Sequence, residues 1–333
     1  MIRRHPLLLF FVLAYAISWL IWSPLWLPHF GILELPVLPF HHALGALGPI
    51  VAAFTVTALE TGRVGLVDLA RRMWMWRDQV PWIVFALCAP IAMLALGMLS
   101  ARLAGVPSAA WTDVGKTREF PQFSAIGFLG YNIFTFGYGE ETGWRGFALP
   151  RLQARHSAFV STLLLTGGWA IWHIPLFLYR PGYVTMGVAG ILGWLFSLVT
   201  GAVLLTWLFN ASRGSILVVA IFHATVDVAF TSSTSPFVVN VVSALITVLG
   251  LVVLVREGPR HLSRKGMVVQ SREPSGGSGT CTRHHTRGND QWRSGLPLTQ
   301  MPCARWRSTA HRVQRSLSGA RRAHHGAMNI AVR

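Results

Sequence analysis

Two adjacent carboxylates and an arginine stand at the end of an apolar run in this chain. The run ends at Tyr138, and the residues that follow it read Gly-Glu-Glu-Thr-Gly-Trp-Arg. Ionisable side chains at membrane depth are costly and are usually functional. On an α-helix Glu141 and Arg145 share a face and can pair, which leaves Glu140 free to face a cavity. The structural alternative is that both glutamates lie at a helix end and reach the membrane interface.

A second apolar run carries Trp169 and His173 at the i,i+4 spacing that places them on one face of a helix. Pro175 cannot donate a hydrogen bond to the carbonyl of Ile171, so we expect the helix to kink beside the histidine. Such a kink would make room for water or substrate. The structural alternative is a core histidine whose hydrogen bonds are satisfied.

A third apolar run carries His223 and Asp227, again at i,i+4. A hydrogen-bonded pair that only locks two helices together is the structural alternative here. Three such elements in one chain, with few other polar groups in its apolar runs, favour one shared site. The chemistry these residue types support is general acid–base catalysis, in which a carboxylate and a histidine activate water.

Composition indicates a membrane protein. The chain has 333 residues, of which 52% are hydrophobic and 12% are charged, and its mean hydropathy is +0.47. A soluble domain carries about 25% charged residues. We therefore predict an all-α membrane protein, a polytopic bundle of about eight transmembrane helices, since a span needs about 20 apolar residues.

The predicted spans divide the chain into four parts. Residues 61–78 carry an apolar stripe at helical spacing, with polar and mainly basic residues between, which predicts an amphipathic helix on the membrane surface. Cationic residues favour the cytoplasmic side, so both termini are expected there, in a bacterial inner membrane. The four parts are the N-terminal spans with the surface helix (1–121), the core that carries the three elements (122–232), a last span (233–255) and a basic tail (256–333).

The tail from Arg256 differs from the rest of the chain. It holds 15 Lys and Arg against 3 Asp and Glu, with Gly and Ser runs and few aliphatic residues. It cannot bury a core, and we predict that it is disordered. Contact with anionic lipid fits its charge, and no specific nucleic-acid partner is expected. Four of its Cys and His residues could suggest a zinc site, but their spacing matches no familiar one: Cys281, His284, His285 and Cys303.

The ordered trio of motifs resembles the CAAX protease and bacteriocin-processing family, which includes the type II prenyl-protein endopeptidases. The motifs read here as Glu140-Glu141-x-x-x-Arg145, Trp169-x-x-x-His173 and His223-x-x-x-Asp227. The resemblance covers residues 123–230 and implies a helical intramembrane endopeptidase. It implies that Glu140 is the general base, helped by His173, that His223 and Asp227 stabilise the tetrahedral oxyanion, and that Glu141 and Arg145 hold the first helix in place.

Two positions depart from the family pattern. Trp169 stands where Phe is more usual, and Asp227 stands where eukaryotic relatives have Asn. An ionised Asp cannot donate a hydrogen bond, so Asp227 must be protonated, orient His223 or help to bind a metal. The four residues Glu140, His173, His223 and Asp227 make a two-His, two-carboxylate zinc set. No His-Glu-x-x-His helix is present, and both metal-free and zinc-assisted hydrolysis remain open at this point.

Other function classes remain beside the protease. One is a non-catalytic membrane protein of the bacteriocin-immunity type. Another is a proton-coupled transporter, because buried Glu, His and Asp also relay protons; the inverted repeats typical of transporters are not evident. For a protease, the expected partners are a peptide or membrane-protein substrate and the lipid bilayer. The sequence does not indicate an oligomeric state.

Overall fold

The computed structural model describes residues 5–32, 34–107, 110–117, 120, 122–232 and 234–270. Within these residues the chain is helical and has no strand, which confirms the predicted fold class. The tail from Ser271, including its cysteines and histidine pair, lies outside the described residues. The α-helices are α1 (Pro6–Ile21), α2 (Ser23–Trp26), α3 (His41–Ala46), α4 (Gly48–Met73), α5 (Val80–Leu103), α6 (Ala125–Asn132), α7 (Tyr138–Glu141), α8 (Leu149–Gln153), α9 (Ala158–Trp172), α10 (Leu176–Tyr179), α11 (Val188–Ala211), α12 (Ile216–Thr231) and α13 (Pro236–Glu257).

Five helical segments of the described chain are long and apolar enough to cross a bilayer, which makes this an integral membrane protein. They are His41–Met73, Arg77–Leu103, Ala158–Tyr179, Val188–Ala211 and Pro236–Glu257. A sixth is present if α1 and the segment Ser23–Phe30, which are bent by 56°, count as one span. About eight spans were predicted from the sequence, and five or six helical segments meet these length and composition criteria in the described residues. The other two predicted spans are α12, which has only 16 residues, and the stretch 125–153, in which π-helical turns alternate with short α-helices.

The predicted surface helix is the second half of α4. At Gly62 the backbone takes φ 60° and ψ −147°, a conformation that favours glycine, and the helix resumes after this break. Leu69 then faces the bundle and is buried, whereas Val64 is exposed. Arg72 reaches back to the carbonyl of Gly146 at 3.0 Å, which ties the segment to the core.

The segment that follows α13 corrects the predicted start of the disordered tail. Residues 258–270 pack against the helices rather than leaving the bundle at Arg256. The first two amide groups of α9 donate to the carbonyls of Arg260 and Pro259, at 2.9 and 3.0 Å. Leu262 is fully buried. The first amide groups of a helix have no acceptor within the helix. Residues 259 and 260 supply acceptors for two of them, so this part of the tail has a structural role.

Close backbone approaches hold the stretch that carries the carboxylates. Residues 125–153 run without a break through α6, a π-helix, α7, a second π-helix and α8. A Cβ on Gly137 would lie 2.5 Å from the carbonyl oxygen of Ala220 in α12, and one on Gly143 would lie 2.6 Å from Cβ of Pro49 in α4. Only glycine allows such contacts, so the stretch is clamped between α4 and α12.

Candidate active site

Glu140 and Glu141 end α7, and both are almost fully buried in the bundle. The residues on either side form π-helical turns, Ile133–Gly137 and Thr142–Ala148. Such turns widen the helix and often occur at functional sites. They change which side chains share a face along this stretch, although Glu141 and Arg145 still meet across one turn.

Glu140 is held by a tryptophan from another helix. The indole Nε1 of Trp169, in α9, donates a hydrogen bond of 2.8 Å to Oε2 of Glu140. Glu140 is 4% exposed and Trp169 is 6% exposed. The carboxylate therefore has one oxygen, Oε2, fixed by an indole donor. The sequence indicated that Trp169 shares a face with His173, but it did not indicate this contact.

His173 lies directly after α9, as its C-terminal cap. Here α9 is interrupted, and α10 begins after Pro175 within the same segment, Ala158–Tyr179, so the interruption lies beside the histidine as expected. Nδ1 of His173 lies 2.7 Å from the carbonyl oxygen of Trp169. A carbonyl only accepts, so Nδ1 carries the hydrogen and the neutral ring presents Nε2 as a base. The imidazole meets the edge of the Trp169 ring, with 5.5 Å between centroids.

His223, in α12, contacts the same indole. Its ring centroid lies 5.6 Å from that of Trp169. Nδ1 of His223 lies 2.7 Å from Oε1 of Glu141, and the same oxygen accepts a 2.8 Å hydrogen bond from Nη1 of Arg145. Glu141 and Arg145 are fully buried as an ion pair. The expected pairing of these two residues is therefore present, and Glu141 also connects the pair to α12.

Asp227 lies one turn beyond His223, with Oδ2 3.7 Å from Nε2 of the histidine. This distance is too long for a hydrogen bond. The side chain of Asp227 is 28% exposed, more than the other members of the group. Glu140 lies within electrostatic reach of both His223 and Asp227. The structure thus brings the four predicted site residues together around Trp169.

A metal fits this group poorly. In the part of the chain that the structure describes, no three or more His, Cys, Asp and Glu side chains are arranged to hold a metal ion. The Nδ1 atoms of His173 and His223 are engaged by a carbonyl and a carboxylate, so only their Nε2 atoms could bind an ion. The zinc set that the sequence left open is not supported by this arrangement, and no step below is derived through a metal.

Two further residues border the site and were not singled out from the sequence. His42, in α3, has Nδ1 2.7 Å from the hydroxyl of Tyr179, and it lies within electrostatic reach of His173. Its place at the start of an apolar run was the available signal. Tyr183, between α10 and α11, stacks its ring on His173 with 6.3 Å between centroids. Burial raises the pKa of Tyr183 to about 12, so this hydroxyl stays protonated at neutral pH.

Comparison with known proteins agrees with this geometry. Residues 122–229 match the family model described as "Type II CAAX prenyl endopeptidase Rce1-like". Over these residues the chain is similar to the CAAX protease and bacteriocin-processing family. The matched residues include all three helical stretches that supply the site, and this confirms the resemblance of the motifs. The protein is thus an integral membrane protein whose residues 122–229 are similar to the CAAX prenyl endopeptidases.

A curated relative of the same kind covers more of the chain. CAAX prenyl protease 2 of Methanococcus maripaludis is 26% identical to it over 184 residues. The match covers 53% of this chain and 64% of the relative, so the chain spans a little under two thirds of that family member's length.

Proposed function

We propose that this protein is an intramembrane endopeptidase that hydrolyses a peptide bond with a water activated by Glu140 and His173. The observation that carries the proposal is the convergence of Glu140, His173, His223 and Asp227, from three separate parts of the chain, around one indole ring. The family match and the name of the archaeal relative support the same reaction class.

The first half of the reaction uses Glu140 and His173. Water attacks the scissile carbonyl carbon and gives one proton to the free oxygen of Glu140. The bare Nε2 of His173 orients the water by accepting its second hydrogen. When the tetrahedral intermediate collapses, the C–N bond breaks and Glu140 returns its proton to the leaving amine. Proton transfer by a positioned group of this kind contributes about 10²–10⁴-fold to the rate.

The second half of the site stabilises negative charge. Glu141 accepts the Nδ1 hydrogen of His223, so Nε2 can donate only when the imidazole is the doubly protonated cation. The carboxylates of Glu141, Glu140 and Asp227 favour that cation electrostatically. His223 then donates from Nε2 to the oxyanion, an interaction that contributes about 3 kcal/mol in comparable sites. Asp227 acts in this proposal through its charge beside Nε2 rather than as a donor.

Purified protein in lipid nanodiscs tests the proposal directly. A library of quenched apolar peptides is offered in water enriched in ¹⁸O, and the products are sequenced by mass spectrometry. We expect internal cleavage with one solvent oxygen in each new carboxyl terminus, and loss of cleavage in Glu140→Gln and His173→Ala. Absence of any cleavage, together with proton flux into proteoliposomes, would favour a transporter instead. Absence of both would favour a non-catalytic role.

Substrate and location belong to the same proposal. The site is buried among apolar helices, so we propose a peptide or membrane-protein segment as its substrate. We also propose a bacterial inner membrane with both termini on the cytoplasmic side, because the basic residues around Arg71 and Arg256 favour that side. Single cysteines introduced near each terminus test the orientation: a membrane-impermeant maleimide added to intact cells should leave both unlabelled.

A further inference from the structure

One aromatic side chain contacts three of the four proposed catalytic residues, Glu140, His173 and His223. The indole of Trp169 donates its only N–H to Oε2 of Glu140. The rings of His173 and His223 both make edge-to-face contacts with it, at centroid distances of 5.5 and 5.6 Å. The guanidinium carbon of Arg145 lies over its face, 4.6 Å from the ring centroid. No polar atom of Trp169 is left for a substrate, so its role must be exercised through its neighbours.

We propose that Trp169 is the positioning residue of the site, and that its N–H holds Oε2 of Glu140 so that Oε1 alone faces the reacting water. This inference rests on the proposed function. A terminal carboxylate torsion is broad and roughly two-fold, so packing alone does not fix it. A hydrogen bond to an ionised acceptor is about twice as strong as a neutral one, and it is directional.

The indole ring of Trp169 is also held in place by a contact on its face. Arg145 covers its face in a cation–π contact and donates to Glu141, which accepts from His223. A continuous series of contacts therefore links the proposed base, Glu140, to the proposed oxyanion donor through Trp169. Rotation of the ring would move both halves of the site together, so one side chain sets their relative geometry.

The chain offers a matched control on the same helix. Trp172 is also buried in α9, and its Nε1 donates a 2.8 Å hydrogen bond to Oγ of Ser18 rather than to the site. Trp169→Phe and Trp172→Phe each remove one buried indole N–H and keep an aromatic ring. Loss of a buried N–H should thus lower stability similarly in both variants. Loss of the correct position of Glu140 should lower kcat only in Trp169→Phe.

Peptide cleavage in nanodiscs gives the first readout. We expect Trp169→Phe to lower kcat about tenfold or more, with KM within about twofold, while Trp172→Phe keeps kcat within about twofold of the wild type. Thermal unfolding midpoints of the two variants should be similar. Site-specific insertion of benzothienylalanine at position 169, which keeps the shape of the indole and lacks the N–H, should reproduce the loss. Wild-type kcat in that variant would overturn the proposal.

A second readout does not need turnover. A hydrophobic carbodiimide reacts with buried carboxyl groups, and mass spectrometry follows its addition to Glu140. Trp169→Phe frees Oε2, so labelling should be several-fold faster than in wild type, whereas Trp172→Phe should leave the rate unchanged. Equal labelling rates in all three proteins would overturn the positioning role. If the wild type cleaves no peptide and labelling still differs as expected, only the proposed function fails.

Discussion

Oε1 of Glu141 lies 2.7 Å from Nδ1 of His223, and this contact joins α7 to α12 inside the bundle. The same oxygen accepts from Arg145, and all three side chains are buried. One carboxylate thereby neutralises a buried guanidinium and fixes which nitrogen of the histidine carries a hydrogen. Stability and catalytic geometry depend on the same residue.

Replacement of Glu141 should therefore affect both properties. Glu141→Gln leaves Arg145 as a buried cation without its partner, and breaking a buried pair in this way costs about 3–5 kcal/mol. We expect a large fall in the thermal unfolding midpoint in nanodiscs. Glu60→Gln is the control, because Glu60 pairs with Arg151 at a more accessible place. An unfolding midpoint for Glu141→Gln equal to that of the control would contradict the structural role.

Asp227 provides a test of how the oxyanion donor is kept protonated. If its charge supports the His223 cation, Asp227→Asn and Asp227→Ala should both lower kcat, by about tenfold or more, because each removes the carboxylate beside Nε2. Initial rates at saturating peptide measure this. Near-wild-type kcat in Asp227→Asn and low kcat in Asp227→Ala would show instead that a neutral donor at this position suffices.

The glycine contacts predict a clear difference between two alanine substitutions. A Cβ at position 137 would lie 2.5 Å from a backbone carbonyl oxygen of α12, which cannot move aside easily. We expect Gly137→Ala to destabilise the protein by about 1–3 kcal/mol or more. Gly167, in α9, has nothing within 4 Å of the same added atom. Gly167→Ala should stabilise by up to about 1 kcal/mol through helix propensity. Equal unfolding midpoints for the two variants would argue against the clamp between α4 and α12.

Metal removal tests the chemistry of the water. The described His, Asp and Glu side chains form no cluster that would hold a metal, so we expect full peptide cleavage after exhaustive dialysis against a strong chelator. The comparison is the same preparation with zinc added back. Activity that disappears on chelation and returns with zinc would require a different account of how water is activated.

Much of the site could be predicted from sequence because helical spacing and apolar context restrict it strongly. Glu140, His173, His223 and Asp227 are polar residues in apolar helices, and such helices bury their polar groups together. The contact from Trp169 to Glu140 was not predictable, because it depends on the side-chain rotamer and on how two distant helices pack.

Backbone departures from ideal helices were also beyond sequence reasoning. No residue pattern predicted the π-helical turns around Glu141. These turns occur where the chain packs closely on its neighbours at Gly137 and Gly143. The basic composition after Arg256 predicted disorder, yet residues 258–270 supply carbonyls to the start of α9. Composition indicates whether a segment can bury an apolar core, but it does not show which backbone hydrogen bonds the segment makes to the rest of the protein.

The most direct test of the whole account is the turnover of Glu140→Gln beside Glu60→Gln, in nanodiscs and on one cleaved peptide. Both variants replace a glutamate by its uncharged isostere, but only the first removes the proposed proton acceptor. We predict that Glu140→Gln loses at least about 10²-fold in kcat, as removal of a general base does, and that Glu60→Gln stays close to the wild type. Wild-type turnover in Glu140→Gln would contradict the central claim.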